Sequence, residues 1–280
     1  MDMRASVIVP VYNAVRALEL VLAGYCRQSS CSFELIIADD GSGPEVCNLI
    51  EVFSRSAPFP VRYIRQPDEG YRKTKILNEA VRAAATAHLI FADADCIPHR
   101  EFVQAHCAHI EPRTVLCGRR VNLPRKLSAS LIPPDVHAGR LERHTPFRVL
   151  LALFSPGSHW DEGLLLRNRA LHRWVNHKEP ALLGCNFSLE KSLLEEVNGF
   201  NEDFTGYSGE DTELEYRLRL AGARFSWIRH RAIQYHLYHP VRAKSQSNAA
   251  ALERTRLEGR AACRNGLHKD RRQERGDRRQ

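Results

Sequence analysis

The chain has 280 residues, 43% hydrophobic and 26% charged, with 16 glycines and 14 prolines, a composition that excludes disordered and fibrous classes. No run approaches the ~18 consecutive apolar residues of a membrane span. The formal net charge of +8 sits mostly at the C-terminus, where residues 241–280 hold 12 Lys and Arg against 5 Asp and Glu. The rest of the chain is nearly balanced, which argues against nucleic acid as a partner.

The stretch ASVIVPVY (5–12) predicts a strand, and Val15, Leu18, Val21 and Leu22 recur behind it at helical spacing. FELIIADD (33–40) predicts a second strand, followed by a helix carrying Val46, Leu49, Ile50 and Phe53. VRYIRQ (61–66) is a third, with Ile76, Leu77, Ala80, Val81 and Ala84 marking the next helix, and HLIFADAD (88–95) is a fourth. Strand starts near 5, 33, 61 and 88 lie about one βαβ unit apart. This predicts an α/β fold, a Rossmann-like, mainly parallel sheet flanked by helices. Right-handed crossovers then bring the carboxyl ends of all four strands to one edge, where open α/β sheets bind ligands.

After Cys117 the alternation stops. Residues 119–180, rich in Arg, His and Pro, read as an irregular insert or lid. The apolar run FRVLLALF (147–154) within them suits a buried helix face or a membrane surface. Order returns over 181–240, where GEDTELEYRLRLAG predicts a helix starting near Glu210. Leu214, Arg217, Leu218 and Ala221 fall on related faces, and Gly222 ends it. Residues 241–280 form a basic tail, read as a solvated or partly helical appendage or as a patch for anionic lipid. The eight cysteines show no paired metal or redox spacing, and the chain enters a strand almost at once. Reduced thiols, no secretory signal and a cytoplasmic location are therefore expected.

The strand ends carry the chemistry. The first ends in Pro10-Val11-Tyr12-Asn13 and the second in Asp39-Asp40-Gly41-Ser42; the third leads into DEGYRKTK (68–75), and the fourth ends in Asp93-Ala94-Asp95. Strand geometry points Asp93 and Asp95 the same way, and neither has a basic neighbour in sequence to relieve the repulsion. A hard divalent cation, Mg2+ or Mn2+, shared with a substrate phosphate would relieve it; two solvated acids opening a turn would not need one. Asp39-Asp40-Gly41-Ser42 suits either a plain turn or an acid that accepts hydrogen bonds from a base or ribose, on which Tyr12 could stack. Arg72, Lys73 and Lys75 stand beside a helix start, where backbone N–H groups and the dipole favour a diphosphate, or else form a solvated face. Glu210 and Asp211 stabilise the start of their helix as capping acids. Behind a glycine-rich loop holding Phe204 and Tyr207, an acid fixed there also suits a general base. His236 and His239 follow the apparent strand AIQY, where a neutral imidazole could complete a coordination begun by Asp95.

Taken in order, SVIVPVYN, ELIIADDGS, FADADCIP, GCNFSLEKSLLEEVNGFNEDFTGYSGED and YHLYHP resemble the motifs of the family 2 glycosyltransferases, inverting enzymes with the GT-A fold. The later elements are most similar to the branch containing galactosyl- and N-acetylgalactosaminyltransferases and bacterial capsule polymerases. The resemblance covers about 5–118 and 181–240. It implies a nucleotide-sugar-binding half (1–118) and a catalytic and acceptor half of the same domain (181–240). Between them would lie an acceptor-side insert (119–180), with the tail (241–280) beyond. The implied donor contacts are Pro10, Tyr12, Asn13, Asp39, Asp40, Arg72, Lys75, Asn78, Asp93 and Asn186, with Tyr12 and Asp40 on the base of a UDP-sugar. Asp95 and His236 would ligate Mn2+ or Mg2+, with Asp93 as a further ligand and His239 as the alternative to His236.

Asp211 would be the general base and Glu210 would help bind the acceptor. The implied activity is inverting, metal-dependent hexosyl or N-acetylhexosaminyl transfer to a hydroxyl of a glycan or lipid-linked glycan, in surface polysaccharide or glycoconjugate synthesis. The tail would give peripheral contact at the inner face of a membrane. Two departures stand out: the loop reads GYSGED where related enzymes often carry Trp, and residues 119–180 match no part of the pattern. A metal-dependent nucleotidyltransferase would need a glycine- and basic-rich phosphate loop after the first strand, which PVYNAVRALE lacks. A non-catalytic nucleotide-sugar-binding module would have no use for Asp211 and His236.

Overall fold

The computed structural model describes residues 3–30, 32–143, 159–240 and 243–269; the apolar run at 147–154 lies outside the described residues. Strands β1 (Ala5–Val11), β2 (Phe33–Asp39), β3 (Val61–Arg65) and β4 (His88–Ala92) are parallel and lie in the order β3-β2-β1-β4. Their crossovers contain α1 (Val15–Tyr25), α2 (Pro44–Ser54) and α3 (Lys73–Ala83). The near-continuous apolar runs arise because these strands are buried on both faces. Val7, Val9, Ile90 and Ala92 pack with Leu18, Val21, Val46 and Ile50 on one side of the sheet. Ile8, Leu89 and Phe91, at the alternate positions, pack with Ile76 and Ala80 on the other.

The chain continues through β5 (Cys96–Pro98), α4 (Phe102–Ala108), β6 (Thr114–Cys117) and β7 (Val121–Asn122). Short helices α5 (Arg125–Ser130), α6 (Pro133–His137) and α7 (Arg169–Val175) follow, then β8 (Asn186–Glu190), α8 (Lys191–Glu196) and α9 (Glu210–Leu220). Strands β9 (Arg224–Trp227) and β10 (Gln234–His236) and helix α10 (Gln246–Glu258) complete it. The main sheet has seven strands, β3-β2-β1-β4-β8-β6-β9, and only β8 runs against the rest. Phe91 of β4 and Phe187 of β8 stack at 4.6 Å across that reversal. A second sheet, β5-β10-β7, stands beside it.

The expected elements are present, with three corrections. The fourth strand stops at Ala92, so Asp93 and Asp95 occupy the turn into β5 and strand alternation does not align them. Residues 119–180 are not merely irregular, because β7 lies within them and pairs in parallel with β10. The tail is partly helical, through α10, as expected, but residues 263–269 at its end dock on the rest of the fold. Asn198 Nδ2 donates to the carbonyls of Cys263 and His268, each at 2.8 Å, and Leu267 joins the core beneath α3.

Helix α9 is the pillar of the second half. Gly222, at φ +75°, ends it as the sequence predicts. Arg217, on its buried face, is completely enclosed. It donates to Glu213 at 2.8 and 2.9 Å and to the carbonyls of Val197 and Gly199, so its buried charge is fully partnered. No helix among the described residues is long and apolar enough to cross a membrane.

Candidate active site

The carboxyl ends of β1, β2 and β4 open into a cleft of about 640 Å³. Pro10, Tyr12, Asp40, Asp93 and Asp95 line it from the strand ends, and His236, Tyr238 and His239 line it from the β10 side. The cleft exists because the turn after β4 carries the chain away from the main sheet into the second one, with β10 facing the strand ends.

At one end Tyr12, half exposed, donates to Asp68 Oδ2 at 3.1 Å, and that carboxylate pushes the phenol's pKa up. Asp40 accepts from Gln66 Nε2 and, at 2.8 Å, from the Arg72 backbone N–H. Burial, the largest influence, nevertheless raises its carboxyl above the usual range. Gly41 makes the neighbouring turn possible: its φ is +93°, and a Cβ there would meet the Asp68 backbone at 2.5 Å.

The two acids after β4 have different partners. Asp93 Oδ1 accepts from Lys73 Nζ at 3.1 Å, and the same ammonium is 3.5 Å from Glu210 Oε1. Burial alone would lower the Lys73 pKa, but the two carboxylates hold it well above the ordinary lysine value. Asp95 Oδ2 faces His239 Nε2 at 3.3 Å and His236 Nε2 at 3.5 Å, and the two imidazole nitrogens are 3.1 Å apart. Burial would raise the Asp95 carboxyl, yet the two rings hold it far below the carboxylate range, while Asp95 in turn raises His239.

These separations bear on a metal. Bonds of ~2.0–2.2 Å to a shared divalent ion place adjacent donors ~3 Å apart. One carboxylate oxygen and two imidazole nitrogens meet that spacing; the carboxylate suits Mn2+ or Mg2+, and the imidazoles suit softer ions of the first transition row. Asp93, neutralised by Lys73, is the less available ligand of the two acids.

Glu210 and Asp211 start α9 behind Gly209, whose φ of +101° turns the loop into the helix. Besides its contact with Lys73, Glu210 has a second, buried oxygen, Oε2, with no hydrogen-bond partner among the described residues. Asp211 accepts from the Gly184 N–H at 3.2 Å and from its neighbour Thr212 at 2.7 Å. It borders a small cavity with Lys73, Pro10 and Glu210, next to the main cleft rather than in its wall. Among the described residues no ion pair reaches Asp211.

Several expected donor contacts lie elsewhere. Asp39 is wholly buried and shapes the turn, accepting from Tyr63 and from the Ser42 N–H at 2.8 Å. Asn13 ties the first two strand ends together through Ser42 and the Gly43 N–H. The Arg72 guanidinium turns to Glu69 and the Pro67 carbonyl, and Lys75 is not in the cleft wall. Asn78 is buried on α3, donating to the Phe200 carbonyl and to Glu202 at 2.9 Å each. Asn186 is buried too, donating to the carbonyls of Arg119 and Ala232 and contacting His106.

Sequence reasoning overlooked Arg120, which lines the cleft near Asp93 and Asp95. It was hidden in an arginine-rich stretch read as an insert. Lys73 was noticed only as one of three cations on a helix start. Its partners, 20 and 137 residues away, leave no local signal.

The sequence family described as Glycosyl transferase family 2 matches residues 6–197, and the N-terminal domain of galactosyltransferase matches residues 170–240. Chondroitin synthase of Escherichia coli is 26% identical over 263 residues, which cover 88% of this chain and 36% of that protein. Validoxylamine A glucosyltransferase of Streptomyces hygroscopicus subsp. jinggangensis is 29% identical over 239 residues, 79% of this chain and 54% of that protein. The chain thus spans about a third to a half of the length of these curated relatives. Among solved structures, a mannosyltransferase from Pyrobaculum calidifontis in complex with GDP-Man and Mn2+ superposes with a TM-score of 0.57 at 18% identity, covering 87% of this chain and 59% of that one. S. aureus TarS superposes with a TM-score of 0.58 at 19% identity, covering 91% and 39%.

Proposed function

The chain belongs to glycosyl transferase family 2 and has the GT-A fold, and on that premise we propose that it moves a sugar, with inversion, from a UDP-sugar to an acceptor hydroxyl with the help of a divalent cation. The observation that carries this reading is the Asp95–His236–His239 donor set in the same cleft as Tyr12, Asp40, Lys73 and Arg120. Tyr12 would stack on the nucleotide base, and Asp40, fixed by Gln66 and Arg72, would accept from it. Asp95 and His236, with His239 beside them, would hold Mn2+ or Mg2+, which when bound supplies positive charge to a departing diphosphate. Lys73 and Arg120 add fixed positive charge on the same wall.

Asp211 would take the proton of the acceptor hydroxyl. The acceptor oxygen then bonds to the anomeric carbon as the bond from that carbon to the diphosphate oxygen breaks, and the nucleoside diphosphate leaves. Asp211 suits this role better than Glu210, because Glu210 already shares the Lys73 ammonium. A single displacement needs one base and no covalent nucleophile.

On this reading residues 1–118 are the donor half and 181–240 the acceptor half, with 119–180 contributing Arg120 to the donor cleft. The chondroitin synthase among the relatives supports a glycan or lipid-linked glycan acceptor in polysaccharide synthesis. A peripheral place at the inner membrane face belongs to the same proposal. The test is a panel of nucleotide sugars with the full chain, following nucleoside diphosphate release in Mn2+ and in EDTA. Mn2+-dependent release from a UDP-sugar is expected; no release from any donor with any acceptor offered would contradict the proposal.

A further inference from the structure

Cys96 has no part in the proposed reaction, yet it is built into the cation site. The antiparallel register of β5 and β10 sets Cys96 directly opposite His236. Residues so paired project from the same face with Cβ atoms ~5 Å apart. Cys96 is completely buried, and its Sγ lies 3.4 Å from Asp95 Oδ1. A carboxylate oxygen of Asp95, Cys96 Sγ and a ring nitrogen of His236 all lie within 4.8 Å of one another. His239 Nε2 stands beside this trio, 3.3 Å from Asp95 and 3.1 Å from His236. One oxygen, one nitrogen and one sulfur therefore stand within reach of a single ion. Mg2+ and Mn2+ favour oxygen donors and gain little from the sulfur, whereas Zn2+ and Cd2+ are held by cysteine, histidine and carboxylate in four-coordinate sites.

We propose that Cys96 makes this place a second, thiophilic metal site, in which Asp95, Cys96 and His236 hold Zn2+ or Cd2+. The inference rests on the cation reading above in sharing Asp95 and His236, so the two occupancies exclude each other. An ion of this class held there takes the place that Mn2+ or Mg2+ would occupy. The thiol proton leaves to water as the metal–sulfur bond forms. A rival trio, Asp93, Cys96 and Cys185, is equally compact. It is the poorer cage, because Arg120 lies 3.6 Å from Cys185 Sγ and Lys73 holds Asp93, so two cations face any incoming dication.

The test uses the full chain with Cd2+ alone, no nucleotide sugar present. Thiolate-bound Cd2+ absorbs in the ultraviolet through a sulfur-to-metal charge-transfer band that oxygen and nitrogen ligands do not give. The expected result is a band in the wild-type chain that saturates at a single equivalent, persists in Cys185→Ser and disappears in Cys96→Ser. No band in the wild type, an undiminished band in Cys96→Ser, or its loss in Cys185→Ser instead would overturn the assignment. Cadmium-113 NMR on the wild type needs no variant: a resonance shifted by a sulfur ligand supports the site, and resonances of oxygen- and nitrogen-bound ion alone refute it. Neither readout requires sugar transfer. A chain that binds Cd2+ through Cys96 but releases no nucleoside diphosphate would refute the proposed function and leave this site standing.

Discussion

Asp93 and Asp95 stand one residue apart at the exit of β4, and their surroundings differ in kind. On the Asp93 side the charge is met from within the chain: Lys73 reaches both Asp93 and Glu210, and the three groups brace the strand end against the start of α9. On the Asp95 side the neighbours are two imidazoles, whose nitrogen lone pairs serve a metal as readily as a proton. One region is an electrostatic strut and the other an open donor set. Two acids at Asp-x-Asp spacing are thus not two equivalent ligands; the groups facing each acid decide its role.

The comparison is sharpest in metal binding. Asp95→Ala should weaken Mn2+ binding by about 100-fold or more, beyond the 10–100-fold typical of groups one step behind a ligand. Asp93→Asn should weaken it by less than about tenfold, since Lys73 already neutralises that acid. Calorimetry with Mn2+ distinguishes them, and equal losses in the two variants would erase the distinction.

Stability should respond in the opposite sense. Lys73→Met leaves the Asp93 and Glu210 carboxylates facing each other without a cation, and should destabilise the fold by about 3 kcal/mol. Urea unfolding measures it; a variant as stable as the wild type would mean that the strut bears no load.

The histidines divide in a similar way, with a smaller effect. Burial lowers His106 to about 3, and His88 and His230 each to about 4, whereas the hydrogen bond with Asp95 raises His239 above 6.5. For the buried three, the unfolded chain takes up protons below pH 6.5 and the fold does not. Their stability is held above that pH and is lost as pH falls toward 4, by up to about 1.4 kcal/mol per unit for each. His239 acts in reverse, favouring the fold below pH 6.5 and losing that contribution as pH rises through its raised value. Burial lowers His172 as well, so the depressed histidines outnumber the raised one and the melting temperature should be lower at pH 5 than at pH 7. A flat profile, or NMR titration of His106 near the unfolded value, would contradict this.

The first four strands were legible because their signals are long. Apolar runs of five to seven residues at βαβ spacing fix β1 to β4, and the polar residues that end them fall on one edge. Of the β5-β10-β7 sheet only β10 was legible, as the strand AIQY, since β5 and β7, of three and two residues, are too short for a periodicity. That sheet places His236 opposite Cys96 and lets Asp95 meet two imidazoles, so much of the site's geometry was hidden with it. Asn78 and Asn186 enter as donor contacts only through the family resemblance, with no local signal of their own. Here their bonds go to backbone carbonyls and neighbouring side chains that only the fold brings near. The docking of residues 263–269 escaped for a related reason: Leu267 is a lone apolar residue in a charged stretch, and its core lies under α3.

The most direct test of the central claim is Asp211→Asn. Donor and Mn2+ binding, measured by calorimetry, should stay within about threefold of wild type, while the transfer rate falls by about 10²–10⁴-fold, the contribution expected of a positioned general base. Transfer within tenfold of the wild-type rate, with binding intact, would contradict the account and move the base elsewhere, with Glu210 and its unpartnered Oε2 the next residue to change.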